Sequence, residues 1–300
     1  MKKLIIVLLI LPLISFSQNL IYNGDFEKYS SLPTDNGQLM NCLGWNNVNL
    51  VPGYFFSNES VKGSPDYFHR LSVSKSVGLP NSSIAYVKPY SGDAIVGFCT
   101  YGTTTPPGFP VNSFWFMDNY REYMSSKLNS PLKLGVKYKL SFYISSGESN
   151  HIYGASSDRI GIYFSKEKLI QDSAEVINVI PQLEILNEIW NTSWQKYSFE
   201  FIPNKEFEFI TIGNFYNDNQ TSTSVVMSNP PVLPWSYYFI DNIELYEIDQ
   251  TSLDIIEVNS NNKKLLKVTD LFGRETNPKN NEVLLYIYNN GTVEKRIIIE

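Results

Sequence analysis

The stretch Tyr237-Tyr-Phe-Ile-Asp-Asn-Ile-Glu-Leu-Tyr-Glu-Ile248 decides the fold. Side chains of a β-strand alternate between its two faces. One face is therefore predicted to carry, in order, Phe239, Asp241, Ile243 and Leu245. Asp241 would then lie in a row of buried apolar side chains, where an uncompensated carboxylate is very unfavourable. The rest of the chain has to supply its partner.

A second stretch, Asn19-Leu-Ile-Tyr-Asn-Gly-Asp-Phe-Glu-Lys-Tyr29, is predicted to meet it in space. Gly24 permits a tight turn that directs backbone oxygens inward. The oxygen-bearing side chains that we expect to join Asp241 are Glu27, Asn23 and Asp25. We predict a structural calcium ion (Ca²⁺) that connects the first strand to the last. The alternative is that Asp241 caps a turn through backbone N–H groups.

These two stretches, with Gly44-Trp45 between them, resemble the galactose-binding-like jelly rolls, a group that includes many carbohydrate-binding modules. The resemblance covers roughly residues 19–248. It implies an all-β, jelly-roll β-sandwich. In that family the early Glu and the late Asp, which match Glu27 and Asp241, often hold a structural calcium.

The N-terminus predicts export. Two lysines precede a short apolar run at residues 4–14, and Ser15-Phe-Ser-Gln18 follows, a pattern typical of a secretory signal peptide over residues 1–17. We expect a secreted or outer cell-surface protein with no transmembrane segment. Removal of the peptide's two lysines leaves 22 basic against 30 acidic side chains, a net charge of −8. This charge argues against nucleic acid as the partner.

Strand patterns dominate the central part of the chain. Alternation over residues 136–144, and a pair of strands at 194–201 and 207–216, favour a sandwich, as do 20 Tyr and 18 Phe. One short helix is predicted over residues 118–128, from an apolar stripe at i, i+3 and i+4 that Asp118 precedes. The two cysteines, Cys42 and Cys99, leave open whether a disulfide forms.

The composition changes after residue 248, which divides the mature chain into a large domain (18–248), a linker (249–262) and a C-terminal piece (263–300). Asp270-Leu-Phe-Gly-Arg274 and a hairpin turn at Asn290-Gly291 resemble the C-terminal sorting domain of type IX secretion cargo. The resemblance implies the type IX secretion machinery as a partner. The chain ends in Ile297-Ile-Ile-Glu300, unlike the commonest family endings. The alternative is an accessory hairpin without an export role.

Motifs for catalysis are absent from the sequence, which has only two histidines and neither a nucleophile elbow nor a phosphate-binding glycine loop. We therefore predict a non-catalytic binding or adhesion module for carbohydrate, because sugars stack on aromatic rings. The predicted ligand-binding residues are Trp115, Trp235, Tyr54 and His151. A polysaccharide hydrolase is the alternative, with the carboxylates Asp66, Glu148 and Asp158 as first candidates. A purely structural surface protein is another.

Overall fold

The structure is a computed structural model and describes residues 18–50, 65–103, 118–227, 233–248, 264–278, 282–289 and 293–297. The chain divides into two compact units, Met1–Ile248 and Asp249–Glu300.

The larger unit contains two five-stranded sheets whose neighbouring strands are antiparallel. The front sheet has the order β2 (Asp66–His69), β3 (Ala94–Tyr101), β12 (Ser236–Glu247), β5 (Tyr138–Ser145) and β9 (Gln195–Phe201). The back sheet has the order β1 (Trp45–Asn47), β4 (Met124–Leu132), β10 (Phe207–Asn214), β7 (Ile160–Ser165) and β8 (Leu183–Ile185). A small ribbon pairs β6 (Ala155–Ser157) with β11 (Thr223–Val225). The prediction of an all-β, jelly-roll β-sandwich is confirmed.

The apolar core between the two sheets follows from strand alternation. In β3, Ala94, Val96 and Phe98 are fully buried in this sandwich core. The residues between them point the other way: Ile95 and Cys99 belong to a second apolar cluster on the outer face of the front sheet. That outer cluster includes Val77, Leu79, Ile84, Ala85 and Val87, so the segment containing them covers the front sheet from outside. The β2–β3–β12 part of the front sheet is therefore buried on both faces.

The predicted alternation along β12 is interrupted by a β-bulge at Asn242. Between Asp241 and Glu244, β12 advances three residues while β5 advances two, and Asn242 has φ +52°. Ile243 consequently lies in the sandwich core, whereas Phe239 lies in the outer cluster. The prediction that Asp241 shares a face with Ile243 and Leu245 is thus wrong, because an extra residue reverses the alternation. Asp241 is buried nonetheless, on the face of Phe239.

The helix predicted over residues 118–128 is wrong, and no α-helix occurs among the described residues. Met124 begins strand β4, which pairs with β1 on one side and β10 on the other. The supposed stripe is divided among three apolar clusters, one each for Tyr120, Tyr123 and Met124. A helix this short is marginal in water, so pairing within the back sheet overrides it.

Both cysteines are free thiols. Cys42 lies in the sandwich core and Cys99 in the outer cluster, so they occupy opposite sides of the front sheet. Burial raises the pKa of each thiol.

The C-terminal unit contains one three-stranded antiparallel sheet of β13 (Leu265–Thr269), β14 (Val283–Tyr288) and β15 (Val293–Ile297). Its apolar cluster consists of Val268, Leu284, Tyr286 and Tyr288. In the turn after β13, the Asp270 carboxylate accepts the N–H groups of Phe272 and Arg274 and pairs with the Arg274 side chain. The predicted Asn290-Gly291 turn lies outside the described residues.

The opening segment meets the closing strand, as predicted, although it forms turns rather than a continuous strand. The N–H of Leu20 donates to the carbonyl of Leu245 at 2.8 Å, and the N–H of Ile243 donates to the carbonyl of Gly24 at 2.8 Å. The Asn19 side chain bridges the same strand, since it donates to the Ile243 carbonyl and accepts the N–H of Leu245. A Cβ at Gly24 would lie only 2.0 Å from the Ile243 carbonyl oxygen.

Gly24→Ala is expected to lower the free energy of unfolding by about 1–3 kcal/mol, because the added methyl group forces two backbone segments apart. Denaturant unfolding measures the change. Gly135→Ala is the matched control: a Cβ there meets no atom within 4 Å, so only its positive φ adds strain. Equal losses in the two variants would contradict the close approach at Gly24.

Candidate functional site

Asp241 is fully buried and is satisfied by backbone donors. Its Oδ2 accepts the N–H of Ser91 at 3.0 Å, and its Oδ1 accepts the N–H of Asn242 at 2.6 Å. The pKa of Asp241 is raised to about 8: burial is the main cause and the negative charge of Glu27 adds to the rise, whereas the backbone N–H groups oppose it. The charge of Glu27 is therefore felt at the Asp241 carboxyl group.

Glu27 binds the same short segment of backbone that contains Ser91. Its Oε1 accepts the N–H groups of Asp93 at 2.8 Å and Ala94 at 3.0 Å. Gly92 has φ +62°, and a Cβ there would lie 2.2 Å from that same oxygen. Residues 90–94 are thus hydrogen-bonded by two carboxylates, Asp241 near the C-terminus of the larger unit and Glu27 near its N-terminus. We call residues 90–94 the clamped loop.

The other two predicted metal ligands have different roles. The Asn23 side chain is buried, accepts the N–H of Lys28, and donates to the carbonyls of Lys28 and Leu43. It therefore organises the turn that leads to Glu27. Asp25 is exposed. Among the described residues, no three His, Cys, Asp or Glu side chains form a group that could hold a metal ion. Glu27 and Asp241 are the two of the four predicted ligands that both contact residues 90–94.

A consequence of this burial is a pH-dependent stability. The carboxyl group of Asp241 titrates near 3.8 when exposed and at about 8 in the folded protein, so the folded state binds the extra proton between these values. In chelator-treated buffer, stability is expected to fall as the pH rises through this window, by up to ~1.4 kcal/mol per pH unit. Asp241→Asn removes the titrating group and should flatten the slope.

Thermal melting of both proteins across this pH range measures the slope. The comparison uses the slope rather than the absolute melting temperature, because the amide also loses one hydrogen-bond acceptor at every pH. Parallel slopes in the two proteins would contradict the assigned burial of the Asp241 carboxylate.

The clamped loop presents an aromatic surface. Tyr90 is 42% exposed and its ring stacks on that of Tyr143 in β5, with centroids 3.6 Å apart and planes at 18°. The half-buried Trp194 meets Tyr90 edge-on at 6.4 Å, and its indole N–H donates to the carbonyl of Lys88 at 2.8 Å. The Lys196 ammonium lies 5.4 Å from the Tyr143 ring centroid. We call Tyr90, Tyr143 and Trp194 the aromatic platform.

A pocket of about 280 Å³ adjoins the platform. Its lining residues are Arg70, Pro80, Lys88, Pro89 and Gly92. Three of them belong to the segment 88–92 that also carries Tyr90, so the pocket and the platform share one piece of backbone. We call this pocket the loop pocket.

Trp235 lies in the outer cluster and is 2% exposed. It stacks with Tyr120 at 5.3 Å and with Tyr153 at 6.0 Å, and its N–H donates to the carbonyl of Thr103. A ligand therefore has no open ring face to contact, and the prediction that Trp235 binds ligand does not hold. The reason is that residues 233–235, just before β12, pack onto the outer cluster.

The remaining predicted ligand-binding residues are Trp115, Tyr54 and His151. Trp115 and Tyr54 lie outside the described residues. His151 is half-buried, shares a hydrogen bond between Nε2 and the Gly147 carbonyl, and packs against Trp190 at 5.1 Å. The structure does not bring it to the aromatic platform.

Sequence reasoning missed the platform, although signals for it existed. Tyr143 alternates with core residues in β5 and therefore belongs to its outward face. Tyr90 begins a Tyr-Ser-Gly-Asp-Ala motif whose glycine indicates a tight turn. No sequence signal connects the two rings, because 52 positions separate them and only the sheet brings them together.

The three carboxylates proposed for hydrolysis each have a hydrogen-bond partner in the structure. Asp66 is buried and accepts a hydrogen bond from the Tyr237 hydroxyl. The pKa of Asp66 is raised, mainly by burial and also by the negative charge of Glu122. Asp158 is buried elsewhere, where it accepts a backbone N–H. Glu148 is exposed and accepts the N–H of Lys88. Two of the three are thus closed to a polymeric substrate.

No family model matches the chain. No curated protein matches it either. Among solved structures, the K1 cleaved adhesin domain of Lys-gingipain from Porphyromonas gingivalis W83 is similar at 12% identity and a TM-score of 0.36, over 69% of this chain and 92% of that one. A CBM22-1 xylan-binding domain from Paenibacillus barcinonensis is similar at 8% identity and a TM-score of 0.32, over 68% and 86%.

TmCBM61, solved in complex with β-1,4-galactotriose, is similar at 13% identity and a TM-score of 0.29, over 77% of this chain and 100% of that one. At these identities and TM-scores, none of the likenesses carries an argument about what this chain binds.

Proposed function

We propose that the larger unit is a non-catalytic carbohydrate-binding domain and that its ligand stacks on the aromatic platform. The observation that carries the proposal is the exposed Tyr90 ring, stacked on Tyr143 beside Trp194. Aromatic rings offer large contact areas to apolar C–H faces of sugars, and nearby polar groups take the hydroxyls. Lys88 and Lys196 are such polar groups at this surface.

The platform is held in place before any ligand arrives. Asp241 accepts the N–H next to Tyr90, the Tyr143 ring supports the Tyr90 ring, and the Lys88 carbonyl holds the Trp194 indole. A surface ordered in advance loses less conformational entropy on binding, which favours affinity.

Tyr90→Ala and Trp194→Ala are each expected to weaken glycan binding by roughly 30-fold, since removal of an interfacial aromatic residue at a hot spot removes about 2 kcal/mol. A glycan array identifies a ligand, and isothermal titration calorimetry then measures its Kd. Phe209→Ala in the back sheet is the control, because it removes a half-buried aromatic ring far from the platform's sheet.

Retained affinity in both platform variants would contradict the proposed site. No binding by the wild-type chain across the array would contradict carbohydrate binding itself and favour a purely structural surface role.

We also propose that Glu27 and Asp241 bind a structural calcium ion. Two observations support it: each carboxylate holds the clamped loop, and the charge of Glu27 raises the pKa of buried Asp241. Carboxylate oxygens are ligands that calcium prefers, and a divalent cation would relieve the repulsion between the two groups. Both carboxylates already accept backbone N–H groups, so the alternative of a capped turn is satisfied without a cation.

Calcium is expected to raise the melting temperature of the wild-type protein at a pH above 8, where Asp241 is ionised. Asp241→Asn and Glu27→Gln should each abolish the increase. Magnesium at the same concentration is the ionic-strength control, since it binds oxygen cages of this kind less readily. An unchanged melting temperature with calcium and with chelator would leave the turn-capping role as the explanation.

We further propose that the chain is exported to the outer cell surface or secreted, with residues 1–17 as signal peptide and the C-terminal unit as the segment that the type IX secretion machinery recognises. The support is the sequence pattern of both ends. No helix among the described residues is long and apolar enough to cross a membrane.

A further inference from the structure

We propose that the ligand is an acidic glycan whose carboxylate or sulfate group enters the loop pocket between Arg70 and Lys88. This inference rests on the proposed function, because it assigns a chemical class to the ligand of the same surface. The pocket supplies the charge and the platform supplies the stacking.

The loop pocket combines two cations with the backbone that carries the platform. Arg70 and Lys88 are among its five lining residues, and the other three are two prolines and a glycine. The cations are therefore the charged side chains of the lining. Carboxylates flank the lining, since Asp93 pairs with Arg70 and Glu148 accepts the N–H of Lys88, but neither of them lines the pocket. Two cations that line one concavity favour a small anion that can contact both of them.

Lys88 is positioned with respect to the platform. Its carbonyl accepts the Trp194 indole N–H at 2.8 Å and its N–H donates to Glu148 at 3.3 Å, so its backbone is held on both sides. The Lys88 ammonium lies 5.8 Å from the Tyr86 ring centroid. Lys88 precedes Tyr90 by two positions and lines the loop pocket, so a sugar that stacks on Tyr90 has this cation nearby.

Arg70 has one acidic neighbour. Its guanidinium lies 3.4 Å from the Asp93 carboxylate, and both side chains are about half exposed. An exposed ion pair of this kind contributes little stability, and a guanidinium has five N–H donors. An arriving carboxylate or sulfate can consequently share Arg70 with Asp93. Bidentate geometry makes arginine well suited to both anions.

The volume of the pocket fits a substituent of one sugar unit. At about 280 Å³ it is slightly smaller than the usual ligand pocket of roughly 300–1,000 Å³, which suits one substituent rather than a whole oligosaccharide. The remaining sugar units would lie along the platform, where Lys196 next to Tyr143 provides a third cation.

Matched pairs of oligosaccharides test the inference by calorimetry on the full chain: oligogalacturonate against its fully methyl-esterified form, and a chondroitin sulfate oligosaccharide against its desulfated form. The charged member of at least one pair is expected to bind about tenfold more tightly, because charge-assisted hydrogen bonds are roughly twice as strong as neutral ones. The pair that shows the preference distinguishes carboxylate from sulfate. The preference should shrink as salt is added, because both cations are exposed to solvent.

Lys88→Gln and Arg70→Gln should each reduce the preference for the charged member by roughly five- to tenfold and leave the neutral member nearly unaffected. Lys166→Gln, an exposed lysine just after β7 in the back sheet, is the charge-matched control and should change neither. Melting temperatures confirm that all three variants are folded.

Equal affinity for the charged and neutral members, with both lost in Tyr90→Ala, overturns this inference while the proposed function stands. A preference that Lys88→Gln and Arg70→Gln leave unchanged also overturns it. Failure of every oligosaccharide to bind would overturn the proposed function together with the inference.

Discussion

The structure depends on one buried carboxylate. Asp241 has no exposed surface, yet it lies in a strand whose neighbouring residues fill two apolar clusters. A carboxylate in such a position has to be neutralised, coordinated or hydrogen-bonded. The chain satisfies this requirement with the N–H of Ser91 in the clamped loop and the N–H of Asn242 in β12, and Glu27 holds the remainder of that loop. The two ends of the larger unit are joined through this arrangement.

The same constraint links the fold to the proposed binding surface. A loop that carries an exposed aromatic ring would ordinarily be free to move, because loops have few tertiary contacts. Here the residue after Tyr90 is bound to Asp241 and the ring itself rests on Tyr143. A carboxylate needed for closing the sandwich thus also determines where Tyr90 points. The surface that we propose to bind sugars is a consequence of how the buried carboxyl group is hydrogen-bonded.

The front sheet separates two kinds of surface. Its β2–β3–β12 part is covered on the outside by the outer cluster, which contains Trp235. The outward side chains of β5 and β9, such as Tyr143 and Lys196, are left partly open. The clamped loop connects these two parts, since its neighbours 77–87 contribute to the cover and Tyr90 reaches Tyr143. The open part of the sheet therefore ends at the aromatic platform and the loop pocket.

The sequence alone determined the fold class and the meeting of the two ends of the larger unit, because strand alternation and an acidic residue in an apolar strand are local patterns with direct physical consequences. It also indicated Asp241 and Glu27. The sequence could not predict strand pairing or the exposure of individual aromatic rings. The bulge at Asn242 and the strand over residues 124–132 depend on which strands pair, and pairing energy overrides local propensity.

The exposure of each aromatic ring was likewise decided only by the tertiary structure. Trp235 and Tyr90 both follow proline in the sequence, yet one is buried and the other is open. The difference arises because residues 233–235 pack onto the outer cluster, whereas the clamped loop is held by two carboxylates at its border. Burial depends on contacts between distant segments, and those contacts exist only once the sandwich has closed.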